Sequence, residues 1–482
     1  MVGALLLIIW ALSPGRRTEA AFASRPPFAY APEARFARAA HHLRAAVSTR
    51  PSILIVLTDD ETAEALPTMP NVRDLLTTHG VRFTQAYVSN PLCSPSRAAI
   101  LAGTYSHTND VYRNHPPDGG APSFHDNGAD DDTLPVWLHR AGYHTGLFGK
   151  YLNLYKGEYV PRGWDTFLAG AGYYGGNLYG TETLTFDQTT YLPRELANRT
   201  ADFIRETPAD QPFFAYFAPS TPHKRAVPEH RYAKTEVSVR VRANVNEADV
   251  SDKPKFIRQL PRLTAKERRK LKTFRNRQLR ALITTDDDVG RLVDVLAETD
   301  RLHDTIIVFL SDNGQMWGAH RLPPGEKRLP YREASKMPLV MRYDAEISPH
   351  IENSLIGNVD LAPTLADLAG VPHPRTDGLS FAERLRDPAA PAPRKHLVLE
   401  SWDPEPDGVN TIKVPGFCGI RTTRRLYARY QTGAEELYDT VHDPYELRNR
   451  VHRPAWKPEL RRLRALRIKL CPPLPHDFAW KQ

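Results

Sequence analysis

Cys93 is followed at short, regular spacing by a proline and an arginine, Cys93-Ser94-Pro95-Ser96-Arg97, just before the apolar run Ala98 to Ala102. The run reads as a helix start. A thiol at the mouth of a helix sits where aligned N–H groups favour negative charge, which lowers a cysteine's pKa and raises its reactivity. The bland alternative is a small buried hydrophobe. A second chemical pattern occurs twice. The run Ser52-Ile53-Leu54-Ile55-Val56-Leu57-Thr58 closes on Asp59-Asp60, and Thr305-Ile306-Ile307-Val308-Phe309-Leu310 closes on Ser311-Asp312-Asn313-Gly314. One isolated acid pair would read as the start of a loop or a helix cap. Two strand tips that both deliver oxygen donors can build one hard-cation site from Asp59, Asp60, Asp312 and Asn313.

Continuous aliphatic runs of this kind are strands buried on both faces, and in open α/β sheets the ligand site lies at their C-terminal ends. Thr145 to Phe148, Phe213 to Ala218 and Lys336 to Tyr343 supply further strands, while Leu279 to Leu296 and Val359 to Leu368 carry helical periodicity. The alternation predicts a doubly wound α/β domain over residues 51–385. Beyond it, Asp387-Pro388-Ala389-Ala390-Pro391-Ala392-Pro393 is linker-like punctuation. His396 to Glu400, Gly419 to Thr422 and Leu426 to Tyr430 read as short strands and Pro458 to Leu470 as a basic helix, a smaller α+β domain over 386–482.

A chain of 482 residues with 41% hydrophobic residues suits one large domain with an appendage and excludes wholesale disorder. The net charge of +8 favours acidic partners without choosing among them. Ala4 to Leu12 is too short to span a bilayer and precedes Ala21-Phe22-Ala23, an A-x-A-like cleavage site. Residues 1–23 therefore read as a secretory signal and 24–50 as a linker with one short helix at Glu33 to Ala46, so a secreted protein with no stable membrane span is expected. With export, Cys418 and Cys471 become candidates for a disulfide, leaving Cys93 alone among three cysteines.

Cys93-x-Pro95-x-Arg97 resembles the signature of the sulfatase family, in which this cysteine is oxidised to formylglycine (3-oxoalanine). Gly142-Tyr143-His144-Thr145-Gly146-Leu147-Phe148-Gly149-Lys150 is similar to the family's second signature. Its continuation through Tyr159-Val160-Pro161-Arg162-Gly163-Trp164 is similar to the branch of N-acetylglucosamine-6-sulfatases and arylsulfatases. Leu302 to Gly314 resembles the metal-ligand strand and Arg321 to Arg342 the segment with a second active-site lysine, so the resemblance spans roughly residues 50 to 450.

The resemblance implies an alkaline-phosphatase-like fold with a mainly parallel sheet, and one calcium ion held by Asp59, Asp60, Asp312, Asn313 and oxidised Cys93. It implies that Arg97 stabilises the aldehyde hydrate, that Lys150, His223 and Lys327 surround the sulfate, and that His320 protonates the leaving group. Arg328 competes with Lys327, and a plain loop residue is the other reading of His320. The family's histidine two residues after the second-signature lysine is Leu152 here, and Asn153 is either a substrate contact or structural. The implied reaction is hydrolysis of a sulfated carbohydrate or aryl sulfate through a covalent sulfate ester, after maturation by a formylglycine-generating enzyme.

Two other functions share these features: a phosphodiesterase or phosphonate monoester hydrolase of the same fold, and a catalytically silent protein that binds sulfated glycans. Lys253 to Arg280 holds twelve Lys or Arg with Glu267 as its only acid, but no nucleic-acid motif accompanies it, so a solvated helical face is expected. Asp130-Asp131-Asp132 and Asp286-Asp287-Asp288 are expected to be solvated faces or caps, not metal sites.

Overall fold

The structure, a computed structural model, describes residues 50–403 and 412–471. The expected signal 1–23, the helix Glu33 to Ala46 and the linker up to residue 49 lie outside the described residues.

The strands in chain order are β1 (Ser52–Thr58), β2 (Val81–Phe83), β3 (Ala86–Tyr87), β4 (His144–Gly149), β5 (Thr166–Ala169), β6 (Tyr174–Gly180), β7 (Leu184–Tyr191) and β8 (Phe213–Ala218). They continue with β9 (Thr305–Ser311), β10 (Leu339–Arg342), β11 (His350–Glu352), β12 (Ile356–Gly357), β13 (Leu397–Ser401), β14 (Phe417–Arg421), β15 (Arg425–Tyr430) and β16 (Glu435–Asp439). A ten-stranded sheet runs β11-β2-β10-β9-β1-β8-β4-β5-β6-β7. Its centre, β9-β1-β8-β4-β5, is parallel throughout. β10 joins antiparallel on one side, and β6 and β7 extend the other side as an antiparallel hairpin. The mainly parallel sheet expected from sequence is thus the centre of a mixed one.

β1 is buried along its whole length, as its aliphatic run requires. Its alternate side chains feed two cores. Ile53, Ile55 and Leu57 pack with apolar residues of the helices Cys93–Ala102, Leu134–Arg140 and Leu361–Leu368. Leu54 and Val56 pack with the helices Leu192–Glu206 and Ala265–Glu298 on the other face. Helices on both faces leave the strand ends as the open edge of the sandwich.

Ala265–Glu298 begins at a capping box in which Thr264 and Glu267 satisfy each other's backbone N–H groups. Lys266 to Lys270 are exposed, so this part of the basic stretch is a solvated helical face, whereas Lys253 and Arg275 are buried, Lys253 donating to the Glu446 carbonyl at 2.9 Å and Arg275 lying 4.5 Å over the Trp317 ring. The acidic triplet at 286–288 departs from expectation. Asp286 and Asp288 are buried: Asp286 accepts from the backbone N–H groups of Asn71 and Val72 (3.0 and 2.9 Å) and Asp288 pairs with Arg194. Burial raises the Asp286 carboxyl to about 6. These acids brace neighbouring segments against the long helix instead of facing water.

The C-terminal sheet is an antiparallel meander, β13-β14-β15-β16, backed by the helix Lys457–Leu470. Three of its strands follow the sequence reading; β16 is additional. Cys418 on β14 is bonded to Cys471 at the end of that helix, with Cα atoms 6.2 Å apart, and Cys93 is the free cysteine. The bond closes a loop of 53 residues. Cys471→Ser should therefore lower the stability of the C-terminal domain by about 4 kcal/mol through loop-closure entropy. Denaturant unfolding monitored by tryptophan fluorescence reads this, and an unchanged midpoint would mean that the bond constrains little.

Candidate active site

Cys93 opens the helix Cys93–Ala102 without a capping side chain of its own. The missing partner comes from a distant loop: Asn114 Oδ1 accepts from the Ser94 backbone N–H at 2.9 Å. Gly103, left-handed at φ 68°, ends the helix and donates its N–H to Ala99. Ser96 Oγ donates to the Asp312 carbonyl and accepts from Asn358 Nδ2 at 2.9 Å, so the helix start is fastened to the tip of β9.

β1 delivers Asp59 and Asp60. Consecutive residues of an extended chain point apart, but Asp60 adopts φ 68°, which turns the chain so that both carboxylates reach one cluster. β4 ends at Gly149, φ 118°, where a Cβ would lie 2.1 Å from the Ala218 carbonyl oxygen, so only glycine lets Lys150 follow. His223 lies in the segment after β8, which docks on β1 through the Asp59 N–H to Thr221 carbonyl bond at 2.9 Å. Asp312 and Asn313 follow β9.

The side chains converge. Lys150 Nζ donates to Asp59 Oδ2 at 2.7 Å, and Lys327 Nζ donates to Asp60 Oδ1 and, at 2.9 Å, to Cys93 Sγ. Arg97 donates from Nε to Asp312 Oδ2 at 2.8 Å and from Nη1 to the Lys150 carbonyl at 2.6 Å. His223 Nε2 stands 3.7 Å from Asp60 Oδ2, with the ring 26% exposed where the other members are buried. Asp59, Cys93 and His223, and likewise Asp59, Asp60 and Asp312, offer ligand atoms within 4.8 Å of one another. Asp60 Oδ2 and Asn313 Oδ1 are buried without a hydrogen-bond partner, as is Arg97 Nη2. Unpaired buried oxygens beside three carboxylates fit a hard cation.

The electrostatics separate the thiol from the carboxylates. Burial would raise Asp59, but Lys150, His223, Arg97 and Lys327 together hold it well below the ordinary carboxylate range. The same burial raises Cys93 to about 12, against the pull of Lys150 and Lys327. The helix terminus therefore does not produce an activated thiolate, contrary to the first reading of this cysteine.

A family model described as sulfatase matches residues 51–371, and one described as N-sulphoglucosamine sulphohydrolase, C-terminal, matches 318–469. The chain belongs to the sulfatase family. Among its relatives, N-acetylglucosamine-6-sulfatase of Homo sapiens is 31% identical over 74% of this chain and 68% of its own length. The extracellular sulfatase SULF-1 homolog of Drosophila melanogaster is 29% identical over 83% of this chain, which spans 36% of that protein; the putative Caenorhabditis elegans counterpart is spanned over 52%. A structure solved in complex with its substrate D-glucosamine-2-N,6-O-disulfate superposes with a TM-score of 0.75 at 24% identity, covering 87% of this chain and 97% of that one. The phosphonate monoester hydrolase of Agrobacterium radiobacter superposes at 0.70 with 20% identity, covering 87% and 96%, a likeness of fold alone.

Within this chain, Lys327 and not Arg328 enters the cluster. Arg328 turns away to Glu326 and to the carbonyls of Asp403 and Ile412. His320 is the sequence-predicted residue that the structure does not bring in. A left-handed turn at His320 and Arg321 sends its ring into the interior, where Nδ1 meets Glu247 Oε2 at 2.6 Å and the ring packs on Tyr331. Burial lowers His320 to about 3 and raises Glu247 to about 7. Asn153 exchanges hydrogen bonds with Ser94, accepting at Oδ1 and donating its backbone N–H. Sequence reasoning missed Ser96, Asn114 and Gln315, whose Nε2 donates to the Asp60 carbonyl at 3.0 Å; the Asp312-Asn313-Gly314-Gln315 string was the signal for the last.

Asp312 and Arg97 are both fully buried. Asp312→Ala should destabilise the fold by about 3–5 kcal/mol because it strands a buried guanidinium, and Arg97→Met added to it should recover most of that loss. Chemical denaturation of the two variants measures the difference; equal stability of single and double variants would contradict the buried-pair account.

Proposed function

We propose that the protein is a secreted, calcium-dependent sulfuric ester hydrolase that releases sulfate from a sulfated sugar or aryl sulfate. The observation that carries this reading is Cys93 at the meeting point of Lys327, Asp59 and the buried carboxylate cluster, with His223 on the open side. Asp59, Asp60, Asp312 and Asn313, with oxidised Cys93, would hold calcium, which polarises bound oxygen. Formylglycine at position 93 would supply a hydrated aldehyde with two hydroxyls, one to bond sulfur and one to release it.

The chain's own residues have separate tasks. Three carboxylates are matched here by three cations, Arg97, Lys150 and Lys327. A divalent cation added to this balanced set leaves an excess of positive charge for an anionic ester. Lys150 and Lys327 orient that anion, and the unpartnered Nη2 of Arg97 offers a further donor. His223, the partly exposed ring of the cluster, would donate a proton to the departing alcohol.

The sugar assignment draws on relatives named N-acetylglucosamine-6-sulfatase and on the fold shared with a structure holding a glucosamine disulfate. Secretion draws on the Cys418–Cys471 bond, on relatives named extracellular and on the apolar run Ala4 to Leu12, with residues 1–23 as the signal and 24–50 as a linker. The catalytic unit would be 51–385, with 386–482 completing the site from outside, and a formylglycine-generating enzyme as maturation partner.

The intact mass of the Cys93 peptide tests the modification, which removes sulfur and two hydrogens and adds oxygen. Cys93→Ala should abolish turnover of an aryl sulfate while leaving the fold intact, and chelation should remove activity that calcium restores. Faster turnover of aryl phosphate or phosphonate esters would favour the phosphonate-hydrolase reading; retained glycan binding with no esterase activity would favour the silent binder.

The two histidines separate by mutation. His223→Ala should lower turnover about a hundredfold or more, as loss of an acid–base group does. His320→Gln should leave turnover within a few fold while lowering the melting temperature. A collapse of kcat in His320→Gln at unchanged stability would restore His320 to the mechanism.

A further inference from the structure

Away from the charge cluster, a concave site of about 450 Å³ opens on the C-terminal domain between Thr422–Arg425, Ala455–Trp456 and the first turns of the helix Lys457–Leu470. That volume is in the range of small-ligand sites. Four cations line it, Lys395, Arg424, Arg425 and Arg462, against the single carboxylate of Glu459. Two of the four are held in place. Arg425 donates to Asp439 Oδ1 at 2.7 Å and lies 4.7 Å over the Trp456 ring, and Arg462 is paired with both oxygens of Glu459 at 2.9 Å. Lys395 and Arg424 are exposed and have no ion pair or side-chain hydrogen bond among the described residues. The cleft thus presents two unneutralised charges on a rim whose other charges are fixed. Half-buried His396 is held below its ordinary pKa by burial and then by Arg394, Arg462 and Lys469, which reports the positive surround.

We propose that this cleft binds an anionic segment of a sulfated glycan chain, separately from the sugar sulfate at Cys93. The proposal rests on the sulfatase reading for its ligand class. Lys395 and Arg424 meet sulfate or carboxylate groups, and the exposed Thr423 at the same wall suits a sugar hydroxyl, while Thr422 Oγ1 accepts from the backbone N–H groups of Arg424 and Arg425 and shapes the turn that carries them. The ring in the cleft, Trp456, is engaged by Arg425 and Arg450 at 4.7 and 5.9 Å, whereas single-stranded nucleic acid sites rely on open aromatic faces. A polymer held at both sites gains affinity through effective concentration, which a monosaccharide cannot.

The test is the full chain carrying Lys395→Glu and Arg424→Glu, two exposed positions whose change leaves the core untouched. Its affinity for a heparin-derived octasaccharide at about 0.15 M salt, read by calorimetry, should fall roughly tenfold or more. The charge-preserving pair Lys395→Arg and Arg424→Lys should bind as the parent does. Turnover of a small aryl sulfate should not move, while KM for a sulfated polysaccharide should rise. Unchanged octasaccharide affinity would overturn the proposal, as would tighter binding of single-stranded DNA that is lost to the same degree. If the parent protein hydrolyses no aryl sulfate, the sulfatase reading fails, and the binding measurement still decides the cleft.

Discussion

The structure depends on a buried cluster of opposite charges at the C-terminal ends of β1, β4 and β9. Asp59, Asp60 and Asp312 are buried with Arg97, Lys150 and Lys327, and each acid has a cation in contact. Taking a charge out of water is so costly that removing any one partner leaves the other uncompensated. Each of the six therefore fixes another, and the segments that carry them cannot drift independently. The rigidity that an anion site needs follows from the same constraint that makes the cluster hazardous to alter.

That constraint explains local choices that look unfavourable in isolation. The helix Cys93–Ala102 lacks its own cap because its first turn is committed elsewhere: Ser94 to Asn114 and Asn153, Ser96 to Asp312 and Asn358. Asp60 accepts a left-handed backbone because only that turn lets two consecutive acids serve one site. The thiol shows the other side of the balance. Placed among carboxylates and away from water, Cys93 rises to about 12 even with two ammonium groups beside it. A helix terminus contributes far less than complete burial removes.

What was legible in sequence were features whose physics is local. Aliphatic runs ending in acids identified β1, β9 and the oxygen donors at their tips, because a strand buried on both faces has to be apolar and the polar residues follow at its end. The hairpin β6–β7 was not legible: Tyr174–Gly180 is glycine-rich and β7 is largely exposed, so neither shows apolar alternation. The long-range partners were equally hidden. Nothing near Asp286 in sequence announces that it caps the segment at Asn71 and Val72, and nothing near His320 announces Glu247. Both acids and ring look like solvated loop or helix residues until a distant segment covers them.

Lys327 was the expected site lysine and Arg328 its adjacent competitor, and packing from outside the larger sheet is what separates them. Arg328 is taken up by Glu326 beside it and by the carbonyls of Asp403 and Ile412, on the approach to and exit from the segment between β13 and β14. A few residues on, Tyr331 donates to Glu436 on β16 at 2.6 Å, a buried carboxylate that also accepts from Tyr430 and Tyr438. With Arg328 bonded to residues that flank β13 and β14 and Tyr331 bonded to β16, the chain between them is held from that side, and Lys327 extends into the carboxylates. The smaller domain therefore acts on the charge cluster without contributing a side chain to it: it removes the competing cation and fixes the backbone from which the remaining one reaches Cys93.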